Sequence, residues 1–241
     1  MLKKDGVSAF MIRMWRNTFW GWLAMAVIFS TAQAAVPGSI VGRAEIPPAL
    51  SAILQQQGYV SLYQHQPTPA GSKPLSAEET LVYLERVVGV FPPATRHGVI
   101  HHKARAFLPR ALPVLKGTGI ALVNDDPYDH TIQVHSLLKP AWQISLKSGN
   151  QPYLFRPLQA DEILLSCGAH LKSEGFLMVL QNPFFVTAGK DGSFSLKNVP
   201  PGVYTLKAWH PDLTPRSLPV TVFSGKESKV DILFEKVRYA P

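Results

Sequence analysis

The chain has 241 residues, of which 46% are hydrophobic and 17% charged, with 21 prolines and 17 glycines. That length allows one or two domains, and the apolar content is enough for a core. So many prolines and glycines count against a helical bundle and suit short strands joined by turns. The formal net charge of +8 comes without a dense Lys/Arg block, a recognition-helix pattern or basic–aromatic interleaving, so no nucleic-acid partner is expected.

Residues 1–34 read as a secretory signal. Lys3, Lys4, Arg13 and Arg16 supply a positive start, residues 19–29 an apolar stretch, and Ala32-Gln33-Ala34 a small-x-small cleavage pattern. Cleavage after Ala34 implies a periplasmic protein. The apolar stretch is short for a membrane span, so no stable span is expected after cleavage; an uncleaved anchor is the alternative. Cleavage leaves 20 Lys+Arg against 15 Asp+Glu, a net charge of +5. Charge of that size reads as solvated surface, with steering of an acidic partner as a second use.

The chain then reads as short strands. Residues 39–46 alternate, 49–57 suit a short helix, 58–64 alternate, and 65–79 form a Pro/Ser/Gly-rich loop. Residues 80–88 are a β-branched strand. From about residue 96 come about eight strands in about 85 residues: 99–106, 112–115, 118–123, 130–135, 141–146, 153–156, 163–167 and 176–180. Such spacing suggests a Greek-key sandwich or barrel. Turns at Lys190-Asp191-Gly192 and residues 198–202 separate 193–196, 204–209 and 230–234, a small antiparallel sheet.

One cysteine, Cys167, rules out an internal disulfide. Its thiol is buried and inert, paired with another chain, or bound to metal. Cys167 and His170 form C-x-x-H between the apolar runs ILLS and GFLMVL. His130 opens a strand after the turn at residues 124–129. A cysteine and two imidazoles on neighbouring strands would make a trigonal set that favours copper and cycles Cu(II)/Cu(I) with little rearrangement. A buried cysteine beside a surface histidine gives the same spacing.

His101 and His102, with His97 upstream, read as strand-edge residues facing water or as an accessory copper-capture patch. His135 falls on the opposite strand face from His130, His210 reads as structural, and His65 adjoins the Pro-rich loop. Asp125, Asp126 and Asp129 are turn formers without EF-hand spacing. No catalytic motif is present, so an enzyme is not expected.

Residues 107–179 resemble the cupredoxin family, especially its amicyanin and pseudoazurin-type members. The resemblance is carried by Pro113-Val114, Lys116-Gly117-Thr118, Val123-Asn124-Asp125, Asp129-His130, Ser166-Cys167-Gly168-Ala169-His170 and Gly175. It implies one mononuclear copper ion on His130, Cys167 and His170. The family's axial methionine belongs three residues after His170, where this chain has Ser173. Either the three strong ligands hold copper without a good axial partner, with Ser173 or Glu174 within reach, or the site has decayed.

The whole chain past the leader also resembles bacterial proteins labelled methylamine utilization proteins, a cupredoxin flanked by a transthyretin-like or carboxypeptidase-regulatory-like β-domain. Residues 82–85 (VYLE), 182–185 (NPFF), 190–194 (KDGSF), 199–204 (VPPGVY) and 209–211 (WHP) carry that likeness.

The expected fold is therefore all-β: a cupredoxin Greek-key sandwich over 96–181 and a small prealbumin-like (Ig-like) sandwich from 35–95 with 182–241, serial domains being the alternative. The implied function is periplasmic electron transfer to a redox partner protein, with docking near Pro140 and Trp142. A copper-handling or sensing protein and a metal-free envelope binding module are the alternatives.

Overall fold

Alternating apolar residues set the strands of this computed structural model, which describes residues 36–57, 75–149 and 151–238. In chain order these are β1 (Gly38–Glu45), helix α1 (Pro48–Gln57), a helical turn (Ala77–Glu79), β2 (Leu81–Glu85), β3 (Gly98–Lys103), β4 (Ala106–Leu108), β5 (Ala111–Leu115), β6 (Ile120–Asn124), β7 (His130–Ser136), β8 (Trp142–Leu146), β9 (Tyr153–Phe155), β10 (Asp161–Cys167), β11 (His170–Leu180), β12 (Phe185–Thr187), β13 (Ser193–Val199), β14 (Gly202–His210), β15 (Leu213–Val222), β16 (Glu227–Lys229) and β17 (Ile232–Leu233). The leader, the expected 58–64 strand and His65 lie outside the described residues. Among the described residues no helix is long and apolar enough to cross a membrane.

The strands form four sheets. One has the order β5-β11-β10-β7-β8 and faces a second, β4-β3-β6-β9. Between them lies a core that includes Ile100, Phe107, Leu122, Ile132, Val134, Leu165 and Leu177. The third sheet runs β12-β2-β14-β15; in the fourth, β1 pairs with β13, β16 and β17. These two enclose Ile40, Val82, Phe194, Leu206, Val220 and Phe234. The fold is thus all-β, two sandwiches built on alternate inward-facing side chains.

The second sandwich differs from the small antiparallel sheet expected at the C-terminus. β1 lies antiparallel to β13 but parallel to both β16 and β17. It takes the N-terminal strand to complete that sheet.

Strand alternation also joins the two sandwiches. β11 sends Leu177 and Val179 into one core and Phe176 and Met178 to the opposite face, where they meet Leu81, Leu164 and Trp209. Phe176 and Trp209 pack edge to face with ring centroids 5.2 Å apart. Beside them Arg110 donates from Nη1 to Glu79 and Asp212, and from Nη2 to Asp212, each at 2.7 Å.

His210 lies in the same polar cluster and is fully buried. Its Nε2–H donates to the Ser76 carbonyl (3.2 Å), and its Nδ1 accepts the Asp212 N–H (3.1 Å), so the neutral ring is satisfied on both sides. Burial holds its pKa below the usual 6.5, with Asp212 and Glu79 opposing. As pH falls below about 6.5, the unfolded chain takes up a proton that the folded one refuses, and stability falls. In His210→Gln the acid-side slope of unfolding free energy against pH should flatten by up to one proton, about 1.4 kcal/mol per pH unit. Denaturant titrations from pH 7 to 5 that give both proteins the same slope would contradict this.

Candidate metal centre

The candidate centre lies at one end of the first sandwich, where three pieces of chain meet. The first is the β10–β11 hairpin. Cys167 and His170 are direct cross-strand partners around the two-residue turn Gly168-Ala169, and the Gly168 N–H donates to the Thr131 carbonyl of β7 at 2.9 Å. This short connection places a thiol and an imidazole side by side.

The second piece is the turn entering β7. Asn124 pins it: its Nδ2 donates to the carbonyls of Tyr128 (2.7 Å) and Leu146 (3.2 Å), and its Oδ1 accepts the Asp126 N–H (3.0 Å). The turn sets His130 at the head of β7 with its ring buried. His130 Nε2–H donates to Asp126 Oδ2 at 3.1 Å. That bond leaves Nδ1 as the lone-pair nitrogen, the usual arrangement of a metal-binding imidazole with a carboxylate behind it.

The third piece is the end of β3. β3 runs parallel to β6 with His102 beside Asn124, and the Ala104 N–H closing the β3–β4 turn donates to Asp126 Oδ1 at 2.9 Å. The expectation that His102 faces water is overturned: its exposure is 0%. His101, one residue earlier, points away and pairs with Asp125 at 3.1 Å.

These pieces bring the three expected residues together and add a fourth. Cys167 Sγ lies 3.5 Å from both His130 Nδ1 and His170 Nδ1. His102, His130, Cys167 and His170 each offer one ligand atom, all within 4.8 Å of one another. His102 Nε2 is hydrogen-bonded to Ser173 Oγ at 3.1 Å, while its Nδ1 is buried 3.7 Å from Asp126 Oδ2, with no hydrogen-bond partner among the described residues.

The remaining expected candidates fall elsewhere. Ser173 is engaged by His102. Glu174 belongs by alternation to the opposite face of β11. Met178 is packed with Leu164, Phe176 and Trp209. Trp142 pairs with Val134, whereas His130 pairs with Leu146. Trp142 is therefore four residues along the ladder from the cluster, about 14 Å, so Pro140 and Trp142 flank the far end and not the centre. Glu79, His210 and Asp212 also converge, but the Arg110 guanidinium already occupies the two carboxylates.

Burial dominates the electrostatics of the cluster. Burial pushes the Cys167 thiol up, while the N–H groups of Ala169 and His170 hydrogen-bond to the sulfur and pull the other way. Burial holds His102 down to about 4. It also lowers His170, with His130 and Arg105 adding to the effect. Asp126 is held below the usual carboxylate value, first by the Ala104 N–H. A compact set of one buried thiol and three imidazoles fits a copper ion by its donor chemistry.

Gly175 fixes part of this packing. A Cβ there would sit 2.7 Å from Cβ and Cγ of Phe107, and Phe107 in turn packs edge-on against His102 at 4.8 Å. Gly175→Ala should cost about 1–3 kcal/mol and displace the His102 ring. Thermal melts and the imidazole signals of His102 in NMR spectra would show this; unchanged melting and shifts would refute it.

Fold and cluster together make this a two-sandwich all-β protein with a thiol–imidazole cluster at one end of its first sandwich. Residues 177–230 match the family model described as polysaccharide lyase family 4, domain II. No curated protein sequence matches the chain. Solved structures similar to it include an oxidised variant of amicyanin, 18% identical, covering 36% of this chain and 84% of that one with a TM-score of 0.32. A reduced amicyanin variant is 16% identical, covering 41% and 97% with a TM-score of 0.32. A purple cupredoxin from Nitrosopumilus maritimus is 19% identical, covering 34% and 97% with a TM-score of 0.29.

Proposed function

We propose that this chain is an exported, non-enzymatic copper protein that passes single electrons to a redox partner protein. His130, Cys167 and His170 hold one copper ion. The observation that carries this reading is the Cys167 sulfur, buried and 3.5 Å from the Nδ1 atoms of both histidines. Copper bound there supplies a Cu(II)/Cu(I) couple, with a constrained donor set that suits both states.

The chain's own residues divide the remaining work. Asp126 orients His130 through Nε2–H. The N–H groups of Ala169 and His170 support negative charge on the sulfur. His170 is half-buried while Cys167 and His130 are buried, so its ring edge is the route outward. Tyr128, 50% exposed, lies 4.9 Å from the His130 ring and 6.4 Å from that of His170, and the partner docks over this end. The domain organisation that goes with this reading has residues 35–95 and 182–241 enclosing 96–181, with residues 1–34 as the export signal.

The test is the optical and EPR spectrum of the purified protein with one equivalent of Cu(II). An intense thiolate-to-copper band is expected. Its absence, with Cys167 still titrating as a free thiol, would overturn the proposal.

A further inference from the structure

We propose that His102 is a fourth ligand, so that the copper centre of this chain has three imidazoles and one thiolate, with Ser173 as the residue that orients the added ring. This rests on the reading of the cluster as a copper site.

Two independent observations carry it. His102 offers a ligand atom within 4.8 Å of those of His130, Cys167 and His170. Its Nδ1 is also buried without a hydrogen-bond partner among the described residues. Asp126 Oδ2 is 3.7 Å from that nitrogen, beyond hydrogen-bond reach, so among the described residues the nitrogen stays unmatched at a cost. The ring is held on both sides: Nε2 lies 3.1 Å from Ser173 Oγ and Nδ1 3.7 Å from Asp126 Oδ2, and these two neighbours orient the imidazole toward the cluster. Phe107, edge-on at 4.8 Å, holds the ring in that orientation.

Ser173 stands where the resemblance to cupredoxins puts a methionine, so the residue at that position supplies a positioning hydroxyl while a nitrogen from β3 takes the fourth place. An imidazole is a harder and stronger donor to Cu(II) than a thioether. The chemical consequence is a centre biased toward Cu(II), with a lower potential than a weak axial sulfur would give. The fourth donor also closes the ion to small anions.

X-ray absorption and pulsed EPR of the Cu(II)-loaded protein count the imidazoles. Three are expected in the wild type. His102→Gln should show two, keep the thiolate band at a shifted wavelength, and respond to azide, to which the wild type is indifferent. Imidazole added to His102→Gly should restore the wild-type spectrum. Ser173→Ala should keep the band and weaken Cu(II) binding about tenfold. A thiolate band with only two imidazoles in the wild type would sink this inference and leave the copper reading standing. No thiolate band at all would sink both. If the His102 variants do not fold, the wild-type count alone decides.

Discussion

Replacing Cys167 with serine is expected to abolish the thiolate-to-copper absorption entirely. The band needs a sulfur lone pair on the ion, and the chain has no second cysteine. Serine keeps the size and still accepts from the Ala169 and His170 N–H groups, so the fold should survive with a cost of about 1 kcal/mol. The softest donor disappears, and what Cu(II) still binds should give the weak bands of a nitrogen–oxygen site. Circular dichroism of Cys167→Ser separates loss of ligand from loss of structure. A folded variant that keeps an intense visible band would show that the chromophore is not at Cys167, and the metal assignment would fall with it.

Trp209→Ala should be the most damaging single change away from the centre. The indole is 1% exposed, packs on Phe176 and carries Arg238 at 5.3 Å from its ring. Truncating it leaves a cavity where the two sandwiches meet, at a cost of about 3–5 kcal/mol, which lowers Tm by roughly 6–20 °C. Trp209→Phe should cost far less. It keeps an aromatic face and discards the indole N–H, which is buried without a hydrogen-bond partner among the described residues. Trp209 faces the opposite side of the β11 sheet from Cys167 and its neighbouring histidines, so Trp209→Ala, kept folded at low temperature, should bind Cu(II) with the spectrum proposed for the wild type. A loss below about 1 kcal/mol in calorimetry would contradict the packing account.

Cys167, His170 and His130 were legible because they sit in local patterns. Cys167 and His170 share a hairpin, and His130 follows a turn whose Asn and Asp residues announce it. His102 was not, although a weaker signal was present. Ile100 and His102 share parity on β3, and Ile100 is a core residue, so alternation alone puts His102 inside. What hid it was the pairing: only the parallel alignment of β3 with β6 brings residue 102 beside residue 124, and no local pattern encodes a parallel register.

Boundaries failed for similar reasons. The expected 99–106 strand breaks at Ala104 and Arg105, which adopt φ of 48° and 69° without the glycine that would signal such a turn. β11 begins at His170, six residues before the apolar run, because the tight hairpin pairs Cys167 with His170 before hydrophobic alternation begins.

The pairing of β12 with β2 bears on how the chain assembles. Phe185 lies opposite Tyr83 and Val186 opposite Val82, although a whole sandwich of chain intervenes. In a nascent chain β1 and β2 wait for partners that emerge more than a hundred residues later. If the strands from β3 to β11 condense first around their own core, they deliver the two ends of β2 and β12 within one strand spacing. The closure entropy of that loop of about 100 residues, about 4 kcal/mol, is then met before the second sandwich forms. Folding is accordingly expected to run from the middle of the chain outward, with β1 docking last.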